Sequence, residues 1–195
     1  MATYIRLARG SEERALRLYV RNMALASAFL GPIQGLEVTL RNTAHTLLSD
    51  QHGDDWYEAV SLTVGQRQAI DSAKQALRRE GKTETPNGIV AATNFGFWVG
   101  LFTKRNDSSL WRPVLHRAFN PVPARAGTYD QLDRLRTLRN RIAHHEPIIR
   151  RNLRHDHDRI LRLLEMLSPE VAKWVRHHSR VPEVLATPLS QLGQF

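Results

Sequence analysis

The sequence predicts an all-α fold, and three features carry the prediction. Apolar residues recur three or four positions apart along most of the chain, the spacing of a helix that buries one side. Glycine and proline fall between these stretches, at Gly31-Pro32, Gly53, Gly81 and the segment 120–127, where helices stop. Residues that open helices stand at the other ends, notably Ser11, Thr128 with Gln131, and Ser168-Pro169. At 195 residues, 42% hydrophobic and 24% charged, the chain is long enough for one domain with its own core.

Taken in order, Ser11 caps a first helix reaching about Leu30, with Glu12 and Glu13 at the positive end of its dipole. Its expected buried side is Leu16, Tyr19, Val20, Met23, Ala26 and Leu30. Gly31-Pro32 breaks the chain, and Pro32 opens a second helix to about Asp50, buried through Ile33, Leu36, Leu40, Ala44, Leu47 and Leu48. A third, about 64–80, is polar apart from Ile70, Ala73 and Leu77 and therefore lies outside; Gly81 stops it. The fourth, about 86–103, is apolar almost all round, as a buried helix or one facing a partner chain would be. A short piece after Ser108 carries Leu110, Trp111, Val114, Leu115 and Phe119, and 120–127 is a loop. The next helix opens with a capping box at Thr128 and Gln131 and stops before Pro147, with Leu132, Leu135, Leu138 and Ile142 as its apolar stripe. Two more follow, about 156–167 and from Ser168-Pro169 to His178. The expected organisation is one all-α domain over residues 1–178 and a C-terminal tail over 179–195.

Composition narrows the chemistry. With no cysteine, disulfide scaffolds, thiolate zinc sites, iron–sulfur clusters and a cysteine nucleophile are excluded. No apolar run approaches 18 residues and the N-terminus lacks an apolar signal core, so the expectation is neither a membrane span nor a signal peptide, and a cytoplasmic location. Of 28 cationic residues 24 are Arg, and the formal charge is +9. Guanidinium groups fork onto phosphates and stack on bases, which suits a nucleic-acid partner. An Arg-rich codon bias produces the same composition without any such partner.

The polar groups that can carry chemistry gather at 138–147, Leu-Arg-Asn-Arg-Ile-Ala-His-His-Glu-Pro. Arg136, Asn140 and His144 lie four apart on one helix face, whereas Arg139 and His144 are five apart, about 140° around the helix at ~100° per residue. Arg139 therefore meets His144 through its long side chain, a frayed last turn, or a second copy of the helix. A histidine that moves a proton near neutral pH, an arginine that neutralises a phosphorane and an asparagine that orients them suffice for RNA cleavage by the 2′-hydroxyl, without a metal or other cofactor.

Along most of its length the sequence resembles the Abi-like (abortive infection) proteins of the HEPN superfamily. The matching stretches are Ala15 to Tyr19 with Asn22, Glu37 to Asn42, Gly53 with Trp56-Tyr57, Phe95 to Val99 with Leu101-Phe102, and Leu138 to Pro147; nothing after about Leu167 matches. The resemblance implies a HEPN-like helical bundle with additional helices that dimerises and joins two Arg-x4-6-His motifs in one cleft, as in metal-independent endoribonucleases. It makes Arg139 and His144 the catalytic candidates with Asn140 as their polar companion, and implies phage defence or a toxin paired with an antitoxin protein.

Glu37, Arg41 and His45, four apart on the second helix, add supporting candidates, because a carboxylate such as Glu37 near His144 would hold its tautomer. Glu37 and Arg41 also suit a simple pair. His145 fits the motif as well as His144 does, and His144 has a purely structural reading as a cation at a helix C-terminus. His155, His157, His177 and His178 read as a solvated face rather than a metal site, and Phe95, Phe97, Trp98 and Phe102 as packing rather than a base-stacking surface. The two functions that remain are a dimeric metal-independent ribonuclease and a HEPN-type module that binds RNA or a protein without cutting.

Overall fold

The computed structural model describes residues 1–191, and every regular element among them is helical. The chain forms two compact units. The first holds residues 1–36, 137–165 and 169–195, and the second residues 37–136 and 166–168. Two long helices contribute to both: α2 (Glu12–His52) and α7 (Arg125–Ala143).

α2 corrects the expectation of two helices, since it runs through Gly31 and Pro32 without a break. An internal proline forfeits one backbone hydrogen bond and costs on the order of 3 kcal/mol. Phe29, Ile33 and Leu36 beside it are buried, and at about 1.5–3 kcal/mol for each such side chain the packing offsets that loss. Continuity also sets which side faces inward. Leu25, Phe29, Ile33, Leu36 and Leu40 form one unbroken buried row, whereas Leu16, Tyr19, Met23 and Leu30, expected inside, are 41–55% exposed. The sequence gives the N-terminal half two apolar stripes, and only the one in phase with the half beyond Pro32 is buried. The joined helix is long and apolar enough to cross a bilayer by length and composition alone, a test that the core helix of a soluble protein passes too.

In the first unit, α1 (Ala2–Leu7), absent from the sequence reading, lays Tyr4 against Ala8 and Ala15, edge-on to Tyr19 at 5.4 Å. Ser11 caps α2 as expected, its Oγ accepting from the Arg14 amide at 3.3 Å. α8 (Leu153–Leu167) buries Ile160, Leu163 and Leu164, and α9 (Pro169–His178) crosses α2 where Gly35 lets it come close: a Cβ there would stand 3.1 Å from Val175. The segment expected as a tail carries α10 (Val181–Ala186), with Val181 and Val184 buried. Arg21 fixes it, donating to the carbonyls of Thr187 and Leu185 at 2.7 and 3.0 Å. The last four residues of that segment, 192–195, lie outside the described residues.

In the second unit, a short turn α3 (Trp56–Ala59) precedes α4 (Val64–Arg79), which has the expected extent and buries Ile70, Ala73 and Leu77. Its start is a capping box of Thr63 and Gln66. The expected fourth helix is two, α5 (Pro86–Ala92) and α6 (Phe95–Gly100), because Asn94 turns its side chain onto the Phe97 amide at 3.0 Å and starts a new helix. Their aromatic residues pack rather than face solvent: Phe95, Phe97, Trp98 and Phe102 are buried, with Trp98 and Phe97 tilted against Trp56 at centroid distances of 5.8 and 6.2 Å. α7 opens at Arg125, three residues before the expected cap, and Thr128 is inside it, donating to the Ala124 carbonyl.

Candidate active site

The candidate site begins at the C-terminal turn of α7, in the first unit. Four backbone carbonyls at a helix end lack partners, and here two of them accept from residues beyond the end: the Glu146 amide donates to Arg141 at 2.8 Å and the His145 amide to Ile142 at 3.1 Å. This pair of bonds is a Schellman turn, whose closing residue must adopt a left-handed backbone. His145 does so, with φ +56°. Glycine is the usual occupant, because a Cβ costs roughly 1–2 kcal/mol in that conformation. Proline at 147 then prevents the helix from continuing.

The left-handed turn aims His145 away from the helix row. His145 lines a groove of about 380 Å³ with Ile142, Ala143 and Glu146 on one side and Tyr19, Asn22, Met23 and Leu30 of α2 on the other. The wall is held by Asn22, itself buried, whose Oδ1 accepts from the amides of Ile148 and Ile149 at 2.7 and 3.3 Å. Arg141 closes the turn, donating to the Pro147 carbonyl at 3.3 Å with Glu146 3.8 Å from its Nε.

His144 occupies the capping position, its amide bonded to Asn140 at 2.9 Å, and its exposed imidazole makes no hydrogen bond or ion pair with the described residues. It does not line the groove. Arg139 and Asn140 are half-buried on the preceding turn. The structure thus groups Arg139, Asn140, His144 and His145 within two turns at one end of α7, with both histidines open to solvent. Glu37 and Arg41 fall in the second unit, half-buried on α2, where the Arg41 Nε donates to Asn42 at 3.2 Å.

Two histidines that the sequence left open have structural work. His45 Nδ1 accepts from the Trp56 indole at 2.9 Å while its Nε2 meets Asn87 Oδ1 at 3.0 Å, so the ring anchors a buried tryptophan. His157, expected on a solvated face, is buried edge-on to Phe29 with Nε2 2.9 Å from Ser179 Oγ. Burial lowers its pKa, an effect opposed by Asp158 and reinforced by Arg176. Among the described residues no group of three His, Asp or Glu side chains is placed to hold a metal ion.

Sequence reasoning missed Asn22 as a clamp and His145 as the turn residue. An asparagine among buried apolar neighbours in a helix, and a non-glycine residue two positions before a proline at a helix end, are the signals that mark them. No family model, no curated protein and no solved structure matches the chain.

Proposed function

We propose that this protein is a metal-independent endoribonuclease of HEPN type, acting as a homodimer in phage defence or as the toxin of a toxin–antitoxin pair. The observation that carries the reading is the end of α7, where Arg139, Asn140 and two solvent-facing histidines stand within two turns, one of them in a left-handed conformation on an open groove. Backbone strain of this kind persists where surrounding contacts impose it, and it concentrates at functional sites.

In this reading one imidazole takes the proton of a ribose 2′-hydroxyl, the oxygen attacks the adjacent phosphorus, and the 5′-oxygen leaves with a proton from a second imidazole. The products are a 2′,3′-cyclic phosphate and a 5′-hydroxyl. Arg139 stabilises the charge of the phosphorane, and Asn140 orients its neighbours. Because Arg139 and His144 are five residues apart on one helix, a second copy supplies the facing set. The exposed Leu16, Tyr19, Met23 and Leu30, contiguous with the groove that holds His145, support a surface for that copy. A cytoplasmic site of action and an antitoxin partner belong to the same proposal.

The test is cleavage of mixed cellular RNA by purified protein in EDTA. Loss of a general acid or base costs about 10²–10⁴ in rate, so His144→Ala and Arg139→Ala each lose at least a hundredfold while keeping the wild-type helical circular dichroism. Wild-type rates in either variant exclude this mechanism. The second reading, a binding module, is favoured by one observation: among the described residues the His144 imidazole has no hydrogen-bond partner to hold it for catalysis.

A further inference from the structure

A second groove of the first unit, of about 540 Å³, lies where α8 begins and collects four arginines, Arg21, Arg150, Arg151 and Arg154, with no carboxylate among its lining residues. Two of the four are already engaged. Arg21 donates to the carbonyls of Thr187 and Leu185, which hold it in place without neutralising its charge, and Arg151 pairs bidentately with the buried Asp156. The other two, Arg150 and Arg154, are exposed and make no ion pair or hydrogen bond with the described residues. Three guanidinium charges thus border one concave surface that has no carboxylate in its lining and no ion pair to them among the described residues. Their mutual repulsion is unfavourable, and an anion of matching extent removes it.

We infer that this groove binds the phosphate backbone of single-stranded RNA, as a site separate from the Arg139–His144 helix end. Planar guanidinium forks match phosphate oxygens in geometry as well as charge. The groove is open to solvent and bordered by the hydrogen-bonded turn at residues 148–151 that leads into α8, which suits a chain laid across it rather than a small enclosed ligand. Its apolar lining, Leu25, Ile149, Leu153 and Leu185, offers no base-edge hydrogen bonds, and the one amide in the lining, Asn152, is already bonded to His155, its Oδ1 accepting from the His155 backbone amide, so contact is chiefly with the backbone. The inference rests on the RNA reading above but not on catalysis.

The experiment measures binding of a fluorescent 2′-O-methyl RNA oligonucleotide, which cannot be cut by 2′-hydroxyl attack, by anisotropy across a salt series. The groove variant Arg150→Gln/Arg154→Gln is compared with Arg79→Gln/Arg105→Gln, which removes the same two charges at exposed sites elsewhere. Losing two phosphate contacts lowers the slope of log affinity against log salt by about 1.4 for a single strand, and the groove variant binds roughly tenfold or more weakly at low salt. The control pair changes affinity less than twofold and leaves the slope unchanged. Equal effects of the two pairs, or wild-type protein that does not bind the oligonucleotide, overturn the inference. Cleavage of unmodified RNA by the same preparations is scored separately, so a failed groove and a failed nuclease are told apart.

Discussion

At the scale of single residues, the balance between backbone strain and side-chain chemistry is sharpest at His145. Replacing it with glycine removes the Cβ from a left-handed position and should raise stability by roughly 1 kcal/mol in urea unfolding, while cleavage falls if its imidazole moves a proton. A variant that gains stability and keeps full activity assigns the proton to His144. Asn22 makes the opposite prediction. Asn22→Ala leaves two amides at Ile148 and Ile149 without their acceptor, a loss of about 1–3 kcal/mol, measured as a lower urea midpoint with an unchanged m-value. The sequence shows where polar groups gather, at 138–147, but not which of two adjacent histidines faces a groove. That choice depends on the left-handed turn at 145, which no residue type there demands.

At the scale of elements, α8 and the chain after α9 are joined through His157. The ring is held neutral by burial, so its folded pKa lies below the ordinary histidine value of 6.5. The unfolded chain therefore binds more protons between those two values, and stability falls as pH drops from about 6.5 toward the folded pKa. Thermal unfolding followed from pH 8 to 5 should show this loss, and His157→Gln should flatten it; an unchanged profile removes His157 as its source. Element positions were legible from the sequence where a local end signal matched the packing, as with the Gly81 stop after α4 and the Ser168-Pro169 start of α9. They were misread where packing overrode a local rule. Pro32 stays helical because its neighbours are buried, α5 and α6 separate because Asn94 prefers to cap, and Thr128 lies inside α7 rather than at its start.

At the scale of the whole molecule, the all-helical class followed from periodicity together with helix start and stop residues, whereas the surface assignment of the N-terminal half of α2 did not. The stripe of Leu16, Tyr19, Met23 and Leu30 was read as core and stands in solvent. Residues of that size exposed along one helix face suit an interface, and Leu16→Glu/Met23→Glu should convert a dimer to the 22.3 kDa monomer in sedimentation, with loss of cleavage. A wild-type monomer that cleaves RNA contradicts the shared site. The +9 charge acts at the same scale, and affinity for any polyanion should fall as salt rises.

The central claim is that the end of α7 cuts RNA by 2′-hydroxyl attack, and the most direct measurement is the chemical nature of the cut ends. A 5′-labelled RNA oligonucleotide incubated with the protein in EDTA should yield fragments ending in a 2′,3′-cyclic phosphate, and neither its 2′-O-methyl counterpart nor the His144→Ala variant should yield any. Fragments with 3′-hydroxyl ends, or cleavage of the 2′-O-methyl strand, would contradict the account.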